Sequence, residues 1–225
     1  MTGIILQARI DSTRLPGKSL LLLDGQPLIF RVMEALNQVP ADIRILACPE
    51  DSLSSFASLT KEANFQILAG PKEDVLERYC MAIREYSIDR VIRATGDNPF
   101  VFADAAASLN DEAVSKKADY AGYGELPYGA GVESVAASAL LLASKQAKLQ
   151  PEREHVCPYL YNHPELFTLH RPISPARWHY PDIRLTVDTQ EDFDRAAELY
   201  AALKNEPNRH NGETIIKKYA KMFYK

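Results

Sequence analysis

Cysteine is scarce in this chain and follows no pattern. Cys48, Cys80 and Cys157 are the only three in 225 residues, with none of the close spacing that zinc or iron–sulfur sites use. They are read as reduced structural thiols of a reducing compartment. Long apolar runs are missing too. The apolar start at 1–6 meets Gln7 and Arg9 at once, so it is no signal peptide. No stretch approaches the roughly 20 apolar residues of a spanning helix. Neither sign of charge dominates: the formal net charge of −4 argues against general nucleic-acid binding, while leaving room for a local positive site. A cytoplasmic protein with no membrane and no nucleic-acid partner is expected. Repeats, low-complexity tracts and linkers are absent, and the single tryptophan, Trp178, supports no assignment.

What is present is 46% hydrophobic and 25% charged residues, ordinary for a soluble globular fold. A compact domain of this length buries roughly 70–75% of its unfolded surface and needs no covalent staples. Short apolar runs alternate with longer amphipathic ones, the pattern of βαβ units. Strands are expected at 3–8, 44–48, 65–68 and 89–94, and helices at 28–38, 52–63, 73–85 and 102–115. Past residue 116 the alternation weakens. Strands are expected there at 118–122, 132–136, 167–170 and 183–187, with closing helices at 190–204 and 213–223. The whole chain, 1–225, reads as one domain with an insertion-like second half.

The segment 7–18, Gln7-Ala8-Arg9-Ile10-Asp11-Ser12-Thr13-Arg14-Leu15-Pro16-Gly17-Lys18, follows the first expected strand and precedes a helix. Open α/β sheets bind ligands in that position. Arg9, Arg14 and Lys18 outnumber Asp11, and guanidinium forks with a mobile ammonium suit a triphosphate. A solvated basic loop would look the same. Two acids, Asp97 and Asp188, stand just past the expected strands 89–94 and 183–187. They could converge on one Mg²⁺, a hard ion satisfied by carboxylates, phosphate oxygens and water. Taken singly, each could equally be a turn residue or a helix cap.

The run QARxxSTRLPGK resembles the amino-terminal signature of cytidylyltransferases acting on sugar acids. The nearest branch is that of spore coat polysaccharide biosynthesis protein F, related to the 3-deoxy-manno-octulosonate and acylneuraminate enzymes. Later landmarks fall in the same order: GPKEDVLERY at 70–79, RATGDNP at 93–99, LPYGAGVES at 126–134, EREHVCPYLYN at 152–162 and RLTVDTQEDF at 184–193. The resemblance implies a Rossmann-like α/β/α sandwich of the glycosyltransferase-A type, with a mixed, mostly parallel sheet. It implies a nucleotide-binding half at 1–115, an acceptor-binding half at 116–225, and a possible homodimer. Arg9, Arg14 and Lys18 would grip phosphates, the backbone at Leu6 and Ala8 would frame the base, and Asp97 and Asp188 would be the metal ligands. Ala8-Arg9 stands where uridylyl- and adenylyltransferases carry glycines, which favours CTP. Asp11 stands where glycine is common.

Asp74 and Arg78, four apart, are either an i, i+4 ion pair or nucleoside contacts. Glu133, Arg153 and His155 match the family's acceptor-side elements, and Arg with His could hold an anionic sugar acceptor. The alternative for 152–155 is a charged surface helix opening after Pro151. Gly131 replaces the acid usual at its position. His163, His170, His179 and His210 show no ligand spacing. The expected reaction is Mg²⁺-dependent transfer of CMP from CTP to a sugar or sugar acid, with pyrophosphate released, in cell-surface polysaccharide synthesis. The rivals are another nucleotide or a sugar-phosphate acceptor, a silent nucleotide-sugar-binding protein, and a glycosyltransferase. The last normally carries a second acid where Asn98 stands.

Overall fold

Ile4, Ile5 and Leu6 are all fully buried, so the first strand is apolar on both faces. Such a strand belongs in the middle of a sheet covered by helices on both sides. The structure, a computed structural model, describes residues 1–224. From β1 (Thr2–Gln7) the chain passes through a loop and a 3₁₀ turn (Lys18–Leu20) into a hairpin of β2 (Leu22–Leu23) and β3 (Gln26–Pro27). Then follow α1 (Leu28–Leu36), β4 (Ile43–Pro49), α2 (Leu53–Glu62), β5 (Gln66–Gly70), α3 (Val75–Tyr86), β6 (Arg90–Thr95) and α4 (Ala103–Ser115). The second half adds β7 (Tyr120–Ala121), β8 (Glu133–Ala136), α5 (Ala137–Gln146), α6 (Gln150–His155), α7 (Pro158–Asn162), β9 (Leu169–His170), α8 (Gln190–Leu203) and α9 (Gly212–Phe223).

Seven strands form one sheet in the order β5-β4-β1-β6-β8-β7-β9. The first four run parallel; β8 is antiparallel to both β6 and β7, and β9 is parallel to β7. The chain leaves β1 towards β4 and β5, then returns to the other side of β1 as β6. That reversal opens a crevice at the carboxyl ends of β1 and β6, where such sheets take ligands.

Helices cover both faces. On one, Ile4, Leu6 and Ile92 pack against Met33 of α1, Phe56 of α2 and Leu109 of α4. On the other, Ile5, Ile45 and Val91 pack against Leu76 and Ile83 of α3, Leu140 of α5 and Leu160 of α7. A third cluster joins α8 and α9 to Phe100, Phe102 and the fully buried Trp178. The three cysteines lie in these interiors, and burial pushes the Cys48 and Cys80 thiols up to about 11. No described helix is long and apolar enough to cross a membrane.

The expected strand at 183–187 does not form. Its backbone goes to loops instead: Leu185 and Thr186 donate to the Tyr128 carbonyl, Val187 donates to that of Asp97, and a single bridge pairs Tyr128 with Arg184. Asp188 therefore follows an extended segment, not a strand. Helices α5 and α7 were not anticipated, nor was the β2–β3 hairpin, which turns on Asp24 and Gly25 at φ 50° and 80°.

Candidate active site

The loop after β1 is held from beneath. Leu15 is buried in the third cluster, the buried Ser19 hydroxyl donates to the Arg9 carbonyl at 2.9 Å, and Gly17 takes φ 66° so that the 3₁₀ turn can start. These anchors face Arg9, Arg14 and Lys18 towards a cavity of about 450 Å³ at the crevice. Across it stand Thr95 at the end of β6, Asp97 and Asn98 just after it, and Thr186 and Asp188. Asp97 and Asp188, far apart in sequence, are brought together. The Lys18 ammonium reaches both, at 3.2 Å to Asp97 Oδ2 and 3.1 Å to Asp188 Oδ1.

Each carboxylate has further partners. Thr95 Oγ1 donates to Asp97 Oδ1 at 2.7 Å. Asp188 Oδ1 accepts from Arg14 at 2.8 Å and its Oδ2 from Arg184 at 2.9 Å. Burial pushes the Asp188 carboxyl up, but Lys18, Arg14 and Arg184 outweigh it and hold the group below its ordinary value. Arg184 is itself held by Asp192, whose carboxylate also takes the amides of Asp188 and Thr189. Thr189 caps α8 and exchanges hydrogen bonds with Asp192, so the start of that helix fixes Asp188 from behind.

The other expected nucleotide residues divide. Ala8 and Arg78 line the cavity, whereas the Leu6 side chain is fully buried in the core. Arg78 is 2% exposed, and its guanidinium donates to the carbonyls of Pro71 and Lys72. Asp74 does not pair with Arg78. It caps α3, accepting from the Glu77 amide at 3.0 Å, and binds Arg153. Asp11 turns from the cavity centre to Lys72, at 2.6 Å, which also reaches Asp51.

On the acceptor side His155 lines the first cavity, but Arg153 lines neither cavity. Arg153 is taken by Asp74 and by the carbonyls of Ser144 and Ala147. His155 begins a tight γ-turn: Val156, buried and at φ 73°, lets the Cys157 amide reach the His155 carbonyl at 2.9 Å. Glu133 lines a second cavity, of about 660 Å³, which shares Arg93, Thr95, Asn98, Tyr128 and Gly129 with the first. Its carboxylate accepts from Arg93 and, at 2.7 Å, from Tyr120. The four remaining histidines serve structure: His163 bonds the Tyr159 carbonyl, His170 meets Glu112, His179 meets Glu125, and His210 lies beside Arg209.

The cytidylyltransferase family profile matches residues 3–220. The chain belongs to the cytidylyltransferase family. This cytidylyltransferase is 32% identical to spore coat polysaccharide biosynthesis protein SpsF of Bacillus subtilis, over 94% of this chain and 91% of that protein. Its fold superposes on a cytidylyltransferase from Leptospira borgpetersenii with a TM-score of 0.89 at 24% identity, covering 98% of this chain and 94% of the other. It also superposes on a CMP:2-keto-3-deoxy-manno-octonic acid synthetase solved with CTP, at a TM-score of 0.67 and 15% identity, covering 89% and 98%. The expected α/β/α sandwich with a mixed, mostly parallel sheet is what the cytidylyltransferase has.

Several residues that wall or brace the site of this cytidylyltransferase lie outside the sequence-based expectations. Arg93 joins the two cavities, and the signal for it was an arginine inside an apolar strand. Arg184 and Asp192 lay within the quoted RLTVDTQEDF run, but their part in holding Asp188 depends on a helix start. Tyr128 and Thr186 lay within the quoted runs at 126–134 and 184–193, but their meeting across the cavity depends on tertiary structure.

Proposed function

We propose that the protein transfers CMP from CTP to a hydroxyl of a sugar-type acceptor, with Mg²⁺ bound by Asp97 and Asp188, in the synthesis of a surface polysaccharide. The observation that carries this reading is the meeting of two carboxylates and three basic side chains at the β1–β6 crevice, with a second cavity opening beside them. The donor set fits a hard divalent ion. Among the described residues no group of three or more His, Cys, Asp or Glu gathers to hold a metal, and Mg²⁺ commonly takes one or two carboxylates and fills its shell with phosphate and water. Such an ion supplies charge stabilisation at the phosphates when bound.

The protein groups do the rest by position and charge. Arg9 and Arg14, with side chains 51% and 65% exposed, have reach to spare for phosphate oxygens. They would offset the charge that gathers on pyrophosphate as the α-phosphorus bond to it breaks. The acceptor, seated in the second cavity, forms the new oxygen–phosphorus bond as pyrophosphate leaves, and its hydroxyl proton passes to solvent. Tyr120, Glu133 and Arg93 are polar groups on that side, and Arg171 lines it. Gly131 lines that cavity, and a Cβ there would press on Leu126 at 3.1 Å, so an acid at this position would need the leucine side chain to give way. Holding both reactants side by side makes the attack effectively unimolecular.

The test is pyrophosphate release with CTP, UTP, ATP and GTP against a panel of keto-sugar acids, amino sugars and sugar phosphates. Turnover with CTP and a sugar hydroxyl or sugar acid is expected. Turnover confined to UTP or ATP, or to sugar 1-phosphates, would overturn the assignment.

A further inference from the structure

Lys18 holds a position that a phosphate-binding lysine could not keep. Its ammonium donates to Asp97 Oδ2 at 3.2 Å, to Asp188 Oδ1 at 3.1 Å and to the Val187 carbonyl at 2.9 Å. An ammonium has three donors and no acceptor, so all its capacity is spent on the protein. The side chain is 13% exposed. In this position Lys18 has no hydrogen to offer a nucleotide.

The same position bears on the metal. A divalent ion bound by Asp97 and Asp188 would approach their oxygens to about 2.0–2.1 Å, in the space that the ammonium spans. Two cations cannot share it, and each of the two remaining oxygens already carries a donor. Asp97 Oδ1 accepts from Thr95 and Asp188 Oδ2 from Arg184, while Arg14, its side chain 65% exposed and free to swing away, shares Asp188 Oδ1 with the largely buried Lys18. Displacing Lys18 without a new partner would strand a positive charge beside an incoming dication. A triphosphate removes that obstacle, since it presents several anionic oxygens within reach of a flexible four-carbon stem.

We infer that Lys18 and the divalent cation are alternative occupants of the Asp97–Asp188 pair, and that nucleotide admits the metal by drawing Lys18 onto its phosphates. This rests on the reading of the pair as the metal site. Metal and nucleotide then bind with positive coupling, and each strengthens the other by the same factor.

The test reads metal binding in the whole protein. Wild type and Lys18→Met are titrated with Mn²⁺ in the absence of nucleotide, and free Mn²⁺ is followed by electron paramagnetic resonance. Lys18→Met should bind at least about tenfold more tightly than wild type, because a like charge has gone from the site, and adding Asp97→Asn should abolish the gain. Thermal unfolding gives a second readout. In EDTA the Lys18→Met variant should melt below wild type, and millimolar Mn²⁺ should raise its Tm far more than that of wild type. If Lys18→Met fails to fold in EDTA, Lys18→Gln, which keeps a donor for one carboxylate, takes the same comparison. Equal or weaker Mn²⁺ binding in the Lys18 variant overturns the inference. Failure of the underlying reading looks different: Asp97→Asn would leave Mn²⁺ binding unchanged even with CTP present.

Discussion

Gly129 takes φ 94°, and a Cβ there would lie 2.6 Å from the backbone nitrogen of Thr186 and 2.9 Å from Asn98 Oδ1. Any side chain would push the 128–129 segment off the 183–187 segment, and with it the path that leads to Asp188. Gly129→Ala should therefore combine backbone strain with displacement of a wall shared by both cavities. We expect a loss of about 1–3 kcal/mol in urea unfolding, together with a fall in kcat. A fully active, fully stable Gly129→Ala protein would show that the close approach is dispensable. Asp97→Asn and Asp188→Asn should each lower kcat by about a hundredfold or more, with little loss of CD signal. The double variant should be scarcely worse than either single one if, as proposed, both residues hold the same ion. Additive losses in steady-state kinetics would separate their roles.

At the level of elements, the start of α3 shows how the family motif at 70–79 divides its work. Asp74 caps the helix and binds Arg153, which in turn holds the carbonyls that end α5. Arg78 ties down the carbonyls of 71 and 72. These contacts clasp α3, α5 and α6 together, so Asp74→Ala should cost about 1–3 kcal/mol by loss of the cap and of a partner for Arg153. Asp74→Asn, which can still cap, should lose less. Chemical denaturation measures both, while calorimetry on the folded variants should find CTP affinity within about twofold of wild type. A large CTP defect in Asp74→Asn would return this residue to the nucleoside site.

The early elements were legible because β1, β4 and β6 are buried apolar runs and α1 repeats Leu28, Val32 and Leu36 at helical spacing. The later strands, two to four residues long, form inside the runs expected at 118–122, 132–136 and 167–170, but at that length periodicity locates a strand without fixing its ends. The 183–187 segment alternates like a strand, yet its hydrogen bonds go to loop carbonyls at 97 and 128. Nothing local distinguishes those two outcomes.

Across the whole molecule, the C-terminal segment is locked to α1 and α4 through a polar cluster at Glu34 and the chain beside it. Arg31, Tyr200 and Arg209 all bond that carboxylate, and the His210 carbonyl accepts from the Ala103 amide at the start of α4. Burial, with Arg209 alongside, lowers the His210 imidazole to about 4. The folded state therefore keeps it neutral, while an unfolded chain takes up a proton near its ordinary value of 6.5. Between these values the unfolded state binds more protons, so stability rises with pH and is lost as pH falls from about 6.5 towards 4, by up to roughly 3 kcal/mol. His210→Gln should flatten that slope in urea titrations between pH 7.5 and 4.5. An unchanged slope would place the acid sensitivity elsewhere.

The sequence by itself determined the central parallel strands, the order of the motifs and the identity of the cation loop and the two acids, because each is written in a local run of residues. Tertiary structure alone decided which charges meet. Lys18 spans Asp97 and Asp188, Arg184 holds Asp188 through the start of α8, and Arg153 goes to Asp74, away from both cavities. An ion pair depends on distances of a few ångströms between segments that the chain keeps far apart, and no spacing along the sequence encodes those distances.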